Sequence, residues 1–415
     1  MTPYADFLYF AILLYPILPL LILGLLGRKT RWWILVATAG MLIIQYSGMD
    51  VILLGLASRG LAAVRIANQD SLHWSILPNK VLIIQTIWLV VGYAIFQYAI
   101  SRLFLIVRAR ARKRWTFYLT VFLALTPLLA AKLPPSMRFQ SFFGFVGLSY
   151  ITFRSLDAII SIQDGLITSL PADQYLAFLL FFPAISSGPV DRYRRFANDW
   201  KRNRTRAEFL DDLGGGLHRI FTGFLYKFIL AVLVKRYWMD PVASGTGLLN
   251  MASYMYAYSA YLFFDFAGYS AFAVGVSYLF GIHTPENFNR PFLAGNIKEF
   301  WNRWHISLST WFRDHIYMRF LLAAGKGHWF KGKYTASYIG YYLLFVLMAL
   351  WHGFEPHYIV YGFYHGTLFV AHDIISRRAR QRGWSDKLPW RIAGIFTTFN
   401  VVCFGLLLFS GHLFR

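Results

Sequence analysis

The first long apolar run, FLYFAILLYPILPLLILGLL at residues 7–26, restricts what this chain can fold into more than any other feature. A helix needs about 20 apolar residues to cross the hydrocarbon core of a bilayer. Similar runs recur along the 415 residues, of which 57% are hydrophobic and 14% charged. Soluble domains carry roughly 25% charged residues. The sequence therefore predicts an all-α polytopic membrane protein.

The apolar runs predict about ten or eleven transmembrane helices in a single domain of residues 1–415. The predicted spans are about 7–26, 33–57, 81–107, 116–134, 142–163, 217–234, 252–281, 335–352, 358–376 and 391–411. Residues 175–190 are short and interrupted by prolines, which predicts a re-entrant hairpin. Because broken backbone is tolerated at membrane depth only beside protein or a wet cavity, we expect a central passage. Residues 282–334 are too polar to face lipid and predict helices at the cytoplasmic interface.

The charge balance is strongly basic, with 41 Lys and Arg against 19 Asp and Glu and a net charge of +22. Basic clusters at residues 28–31 and 108–114 are predicted to be cytoplasmic, which leaves the N-terminus outside the cell. Basic surfaces suit anionic lipid or an acidic soluble partner. Nucleic-acid binding is disfavoured because the cations do not form a soluble module. The lone Cys403 excludes an intramolecular disulfide and a cysteine-rich metal site.

Ionisable residues inside apolar segments usually face a partner or a cavity, because burying a charge in lipid is costly. Arg154 and Asp157 are three residues apart on one predicted helix, so a structural pair between them is favoured over catalysis. Asp265 has no charged residue near it in sequence. We expect it to bind another segment by a hydrogen bond or to line the cavity.

The stretch FWNRWHISLSTWFRDH, residues 300–315, combines aromatic and polar side chains. Helical spacing predicts an apolar stripe of Phe300, Trp304, Leu308 and Trp311. The same spacing places Asn302, His305 and Ser309 together on a second face. An interfacial helix explains the tryptophans, but it accounts less well for a histidine on the polar face.

A second histidine-rich stretch is ALWHGFEPHYIVYGFYHG, residues 349–366. A metal site built from His352, Glu355, His357 and His365 is disfavoured, because the spacing matches no ligand pattern and Pro356 interrupts any shared helical face. A neutral histidine suits general-base work on a hydroxyl. No serine or cysteine lies in a G-x-S-x-G context, so direct acyl transfer is favoured over a covalent acyl-enzyme.

Together these stretches resemble the membrane-bound O-acyltransferase family. WHG at 351–353 matches the family's histidine in an apolar helix, and FWNRWHISLSTWFRD at 300–314 matches its upstream Trp/Arg-rich segment. Residues 181–196, 263–282 and 285–292 extend the resemblance to about 145–375. The continuation IYMRFLLAAGKG is most similar to the branch that transfers D-alanyl groups, rather than to polysaccharide O-acetylases.

The resemblance implies that an acidic D-alanyl carrier protein docks from the cytoplasm and presents a phosphopantetheine thioester. The D-alanyl group would pass toward hydroxyls of lipoteichoic acid at the cell membrane, with other membrane proteins of the same pathway as further partners. No cofactor is implied to be bound, because the phosphopantetheine arrives on the carrier.

The resemblance also assigns roles to residues. His352 would be the base and His305 would position the thioester or acceptor or relay the proton. Asp265, Asn302, Ser309 and Trp351 would support the cavity. The residues expected to contact the carrier are Met318, Arg319, Leu321, Leu322, Lys326, Lys331 and Lys333.

Three other functions remain open from the sequence. A polysaccharide O-acetyltransferase that uses acetyl-CoA would share the same motifs. A transporter or channel would explain the intramembrane charges, but it predicts internal repeats that the chain lacks. A structural scaffold would leave Arg154 and Asp265 unexplained.

Overall fold

The structure is a computed structural model that describes residues 3–28, 30–47, 80–111, 113–132, 147–186, 188–381 and 388–414. Over these ranges the chain is almost entirely helical, and its one β-type contact is an isolated bridge between Phe288 and Trp304. The all-α prediction is therefore confirmed. The first eight helices are α1 (Phe7–Leu25), α2 (Arg31–Ser47), α3 (Lys80–Arg110), α4 (Arg114–Lys132), α5 (Leu148–Gln163), α6 (Ala172–Leu180), α7 (Tyr193–Lys201) and α8 (Arg206–Ala243, with two π-helical stretches).

The later helices carry the histidine-rich segments. They are α9 (Leu248–Leu279), α10 (Ile297–Trp301), α11 (Ile306–Phe312), α12 (Met318–Lys326), α13 (Thr335–His352), α14 (Pro356–Gln381) and α15 (Leu388–Phe409). A π-helical turn, Arg313–Tyr317, joins α11 to α12, and short 3-10 turns occur at Phe182–Ala184, Pro291–Leu293 and His412–Phe414.

Seven of the described helices are long and apolar enough to cross a membrane: α1, α3, α4, α8, α9, α13 and α15. They coincide with predicted spans, as expected when long apolar runs form helices whose backbone groups are satisfied internally. The other predicted spans correspond to α2, α5 and α14, which are shorter or more polar. Parts of the predicted spans 33–57, 116–134 and 142–163 lie outside the described residues.

The chain forms two compact units, one of residues 1–218 and 272–284 and the other of residues 219–271 and 285–415. In the first unit, the predicted pair between Arg154 and Asp157 is wrong. Arg154 is 1% exposed and donates to the carbonyls of Phe178, Leu179 and Ala184 at 2.9, 3.2 and 2.7 Å. These carbonyls lie where α6 ends and the chain turns. The guanidinium therefore satisfies acceptors that the end of the helix leaves without helical partners.

Asp157 binds a different partner in the same unit. It forms an ion pair with Arg192 at 2.9 Å and accepts the backbone N–H of Tyr193 at 3.1 Å, at the start of α7. Residues 175–190 are broken between α6 and α7, as the prolines predicted. Arg154 and Asp157 together fix both ends of this irregular segment to α5.

In the second unit, Asp265 on α9 forms an ion pair with Lys227 on α8. The expectation that Asp265 binds another segment is confirmed, although its partner is a cation 38 residues earlier in the chain. The charge of each side chain is balanced by the other. This pair holds the two long helices together. The helices also approach closely at Gly268, where a Cβ atom would lie 2.7 Å from the backbone nitrogen of Lys227.

Candidate active site

The segment around His305 is not the continuous helix that the spacing predicted. α10 ends at Trp301, α11 begins at Ile306, and His305 between them has a left-handed backbone with φ +44°. The Ile306 N–H donates to the Asn287 carbonyl at 3.0 Å instead of to a helical acceptor. The continuous helix predicted across residues 300–311 is therefore wrong, and Asn302 and Ser309 do not line the same cavity as His305. The four residues of the predicted apolar stripe are nevertheless all buried.

The break places His305 in a cavity of about 200 Å³ together with His352, which we call the histidine cavity. Its remaining lining is apolar and aromatic: Leu262, Phe266, Trp301, Trp304, Leu308, Met348, Tyr361, Leu406 and Phe409. The His305 ring lies edge-on to Phe266 with ring centroids 4.8 Å apart, and its side chain is buried. The two histidines predicted to be catalytic thus face one small, largely apolar space.

His352 is the last residue of α13, and α14 begins four residues later at Pro356, as expected from a proline that stops helix continuation. Its ring lies 4.5 Å from that of Trp351 and 4.9 Å from that of Phe409. Gly353 allows a close turn here, because a Cβ on it would meet the Tyr358 ring at 2.9 Å. The turn holds the imidazole at the edge of the cavity.

A second cavity of about 300 Å³ adjoins this site and is more polar; we call it the lysine cavity. Its polar lining consists of Lys298, Asn302, Ser309, Thr310, Arg313, Tyr317 and Tyr341. Lys298 donates to Tyr341 at 3.0 Å and forms an ion pair with Asp373 at 3.1 Å. Two predicted supporting residues, Asn302 and Ser309, therefore line this cavity rather than the one that holds the histidines.

Trp301 and Met348 line both cavities and so form the wall between them. The Trp301 indole N–H donates to Nδ1 of His365 at 3.3 Å, and the two rings meet edge to face. His365 is 1% exposed, and a Cβ on Gly405 would approach its Nε2 to 2.7 Å. Sequence reasoning considered His365 only as a metal ligand. It accepts a hydrogen bond from Trp301, which lies 64 residues earlier in the sequence, so local sequence patterns cannot reveal this contact.

The other predicted site residues lie in different settings. Asp265 lines neither cavity and is paired with Lys227, whereas Trp351 contacts the His352 ring. Met318, Leu322 and Lys326 on α12 are exposed, as are Lys331 and Lys333 after it. Among the described residues, no group of three histidine, cysteine, aspartate or glutamate side chains is arranged to hold a metal ion.

The sequence profile of the membrane-bound O-acyltransferase family matches residues 69–410, which is most of the chain. This chain belongs to that family. The resemblance first drawn from the two histidine segments is thereby confirmed, and the protein is a membrane-embedded acyltransferase.

Three relatives show which members this acyltransferase is similar to. It is 41% identical to the teichoic acid D-alanyltransferase of Bacillus subtilis, over 100% of this chain and 99% of the relative. It is 40% identical to the protein of the same name from Streptococcus thermophilus, over 74% of this chain and 78% of the relative. A probable alginate O-acetylase of Pseudomonas syringae is 33% identical over 64% of this chain and 49% of that protein.

The electrostatics of His305 predict a pH dependence of stability. Burial lowers the pKa of His305 to about 3, and the nearby His352 adds to this shift. An exposed histidine in the unfolded chain has a pKa of about 6.5. The folded protein therefore binds this proton more weakly than the unfolded chain does. The neutral His305 side chain therefore contributes fully to the free energy of unfolding above about pH 6.5. As the pH falls from there toward 3, that free energy decreases by up to about 1.4 kcal/mol per pH unit.

The substitution His305→Asn isolates this contribution, because asparagine tolerates a left-handed backbone. We expect the free energy of unfolding of the wild type to fall more steeply than that of the variant as the pH drops from neutral to 4. Thermal unfolding of both proteins in the same detergent across that pH range measures the difference. Parallel stability curves for the two proteins would contradict the assigned burial of His305.

Proposed function

We propose that this acyltransferase moves a D-alanyl group from the phosphopantetheine thioester of a carrier protein to a hydroxyl of teichoic acid. The observation that carries the proposal is the shared cavity of His305 and His352. The full-length similarity to a teichoic acid D-alanyltransferase supports the choice of acyl group and acceptor. Family membership favours an enzyme over the transporter and the scaffold.

In the proposed reaction His352 acts as a general base. Its neutral imidazole accepts the proton of the acceptor hydroxyl while the oxygen attacks the acyl carbon of the thioester. The carbon–sulfur bond then breaks, and the proton passes from the imidazolium to the departing sulfur, which leaves as the free thiol of phosphopantetheine. The products are a D-alanyl ester and the thiol form of the carrier, so no external reductant, oxidant or cofactor is needed.

His305 is suited to positioning rather than to a second proton abstraction. It stays neutral at physiological pH because its pKa is lowered to about 3 by burial. Its Nδ1 is buried and has no hydrogen-bond partner among the described residues. A neutral imidazole offers one donor and one acceptor, and a buried donor without an acceptor is costly. We propose that the ring orients the thioester or the acceptor in the histidine cavity.

The lysine cavity is the proposed route for the phosphopantetheine arm. It lies next to the histidine cavity, and Trp301 and Met348 line both cavities. Lys298 and Arg313 line it and can donate hydrogen bonds to the phosphate of the arm, beside their ion pairs with Asp373 at 3.1 Å and Asp314 at 2.9 Å. Apolar and aromatic residues between these cations and the histidines would exclude water around the thioester, and exclusion of water favours transfer to the acceptor over hydrolysis.

The carrier is proposed to dock on the exposed surface formed by Met318, Leu322, Lys326, Lys331 and Lys333, with Arg319 and Leu321 beside it. This surface combines exposed apolar side chains with three lysines, and Trp329 adds a further exposed aromatic ring. An acidic carrier would be attracted by the lysines, and the apolar residues would provide the buried centre of the contact.

Reversing the three lysine charges, as Lys326→Glu with Lys331→Glu and Lys333→Glu, tests this surface. We expect the affinity for the carrier to fall by roughly tenfold or more, and the affinity to depend less on salt. The matched control reverses three exposed arginines elsewhere in the same unit, Arg378, Arg380 and Arg391. Binding of the carrier to both variants across a salt series is the measurement. An equal loss in both variants, or an unchanged salt dependence, would remove this surface from the proposal.

The function as a whole is tested by reconstitution. The purified chain, in vesicles with lipoteichoic acid and the membrane proteins of the pathway, is supplied with D-alanyl carrier. Formation of D-alanyl esters on the acceptor together with release of the carrier thiol is expected. Persistence of the thioester in the presence of every component would contradict the proposal.

A further inference from the structure

A basic pocket lies in the first unit, away from both cavities described above. It has a volume of about 250 Å³, and its charged lining consists of Arg28, Arg31, Asp199, Lys201, Arg202 and Arg204. Five cations thus face one carboxylate. The volume is below the roughly 300–1,000 Å³ of pockets for drug-sized ligands, so it suits a small anion or a headgroup.

The ion pairs around the pocket leave its positive charge largely uncompensated. Asp199 is already bound by Arg195 at 2.9 Å and also accepts the backbone N–H of His283 at 2.8 Å. Arg202 pairs with Glu208 at 2.7 Å. In the part of the chain that the structure describes, no ion pair joins Arg28, Arg31 or Lys201 to a carboxylate. These three cations are available to an anion from outside the protein.

The back of the pocket is fixed in place by Arg204. This side chain is 8% exposed, pairs with Asp212 at 3.1 Å and donates to the Leu279 carbonyl at 3.1 Å. Gly281, with φ +75°, lies against it, and a Cβ there would be 2.6 Å from the guanidinium carbon. The glycine therefore gives the arginine its space, and the pocket has a rigid cationic wall behind its three exposed cations.

The pocket also lies at the ends of candidate membrane spans. Arg28 and Arg31 follow α1, which ends at Leu25, and Gly281 follows α9, which ends at Leu279. α8 begins at Arg206, just after the lining residue Arg204. The exposed Trp32 beside Arg31 is a residue type enriched at the membrane–water boundary. Phosphate groups of lipids are concentrated at that depth.

We propose that this basic pocket binds a phosphate group, with the headgroup of an anionic phospholipid as its natural source. Guanidinium groups match phosphate oxygens bidentately, and Lys201 adds a point charge. Basic pockets between membrane helices are a known form of lipid-headgroup recognition. Free inorganic phosphate shares the chemistry, and the experiment below separates the two sources. The site does not depend on the proposed acyl transfer.

The test uses the full chain in a neutral detergent with background phosphatidylcholine. Short-chain phosphatidylglycerol is titrated in one arm and inorganic phosphate in the other, with the shift of the thermal unfolding midpoint as the readout. We expect phosphatidylglycerol to raise the midpoint. In the double variant Arg28→Gln with Arg31→Gln the apparent affinity should fall about fivefold for each cation removed, or roughly 25-fold in total.

Two matched controls separate the pocket from general electrostatics. Arg110→Gln with Arg114→Gln removes the same charge from another basic cluster. A further pocket variant, Lys201→Gln, should lower the affinity about fivefold, and its control is Arg194→Gln on the same helix, α7. The controls should bind phosphatidylglycerol as the wild type does. If inorganic phosphate raises the midpoint but phosphatidylglycerol does not, and the pocket variants lose this effect, the pocket is a phosphate site whose ligand is the free anion. Equal losses in controls and pocket variants, or no loss in either, would overturn the proposal.

Discussion

Replacing His352 with alanine is expected to lower the rate of acyl transfer by at least about 10²–10⁴-fold, the usual contribution of a general base. The loss should appear in kcat, because a general base acts in the transition state. The variant should remain folded, since His352 is the last residue of α13 and lies at the edge of the histidine cavity.

The control for this prediction is His357→Ala. His357 lies five residues further on and packs against Tyr358 with ring centroids 4.0 Å apart and tilted ring planes, and it does not line the histidine cavity. Its loss should leave transfer close to the native rate. Thermal unfolding of both variants distinguishes loss of chemistry from loss of structure. A folded His352→Ala enzyme that turns over at the wild-type rate would show that this imidazole is not the base.

The largest expected effect on stability comes from Arg154→Met. This substitution keeps much of the aliphatic volume but removes all three hydrogen bonds to the carbonyls of Phe178, Leu179 and Ala184. Hydrogen bonds from charged donors contribute more than neutral ones, and a buried acceptor without a partner costs about 1–3 kcal/mol. The relief from no longer burying the guanidinium offsets part of this cost. We expect a net loss on the order of 3–5 kcal/mol.

Two comparison variants make the Arg154 prediction specific. Arg154→Lys retains a charge and reaches fewer carbonyls, so its stability should be intermediate. Arg194→Met removes an exposed arginine near the same irregular segment and should change the unfolding midpoint little. Thermal unfolding in one detergent measures all three proteins. If Arg154→Met unfolds at the wild-type temperature, the irregular segment does not depend on this guanidinium.

The helices were predictable from the sequence because their cause is local. An apolar run of sufficient length forms a helix that satisfies its own backbone, and Pro356 marks the boundary between α13 and α14 without reference to the rest of the chain. The two histidine segments were predictable for a similar reason. Each holds a compact motif, and the motifs alone pointed to the family that the comparison with the profile then showed.

The errors share a different cause, which is contact between segments distant in sequence. The helix predicted through His305 is broken because Asn287 accepts the Ile306 N–H, about 20 residues away. Periodicity cannot detect such a competitor. Arg154 was paired with its neighbour Asp157 because that rule considers only nearby residues, whereas its true acceptors are 24 to 30 residues later. The partner of Asp265 and the link between Trp301 and His365 were missed for the same reason.

We propose that this acyltransferase takes a D-alanyl group from a carrier thioester into the histidine cavity. The most direct measurement offers the purified wild type and His352→Ala two donors together, D-alanyl carrier protein and acetyl-CoA, in the presence of acceptor. We predict consumption of the D-alanyl thioester by the wild type alone, with acetyl-CoA untouched. Consumption of acetyl-CoA in preference to the carrier, or equal consumption of the carrier by both proteins, would contradict the account.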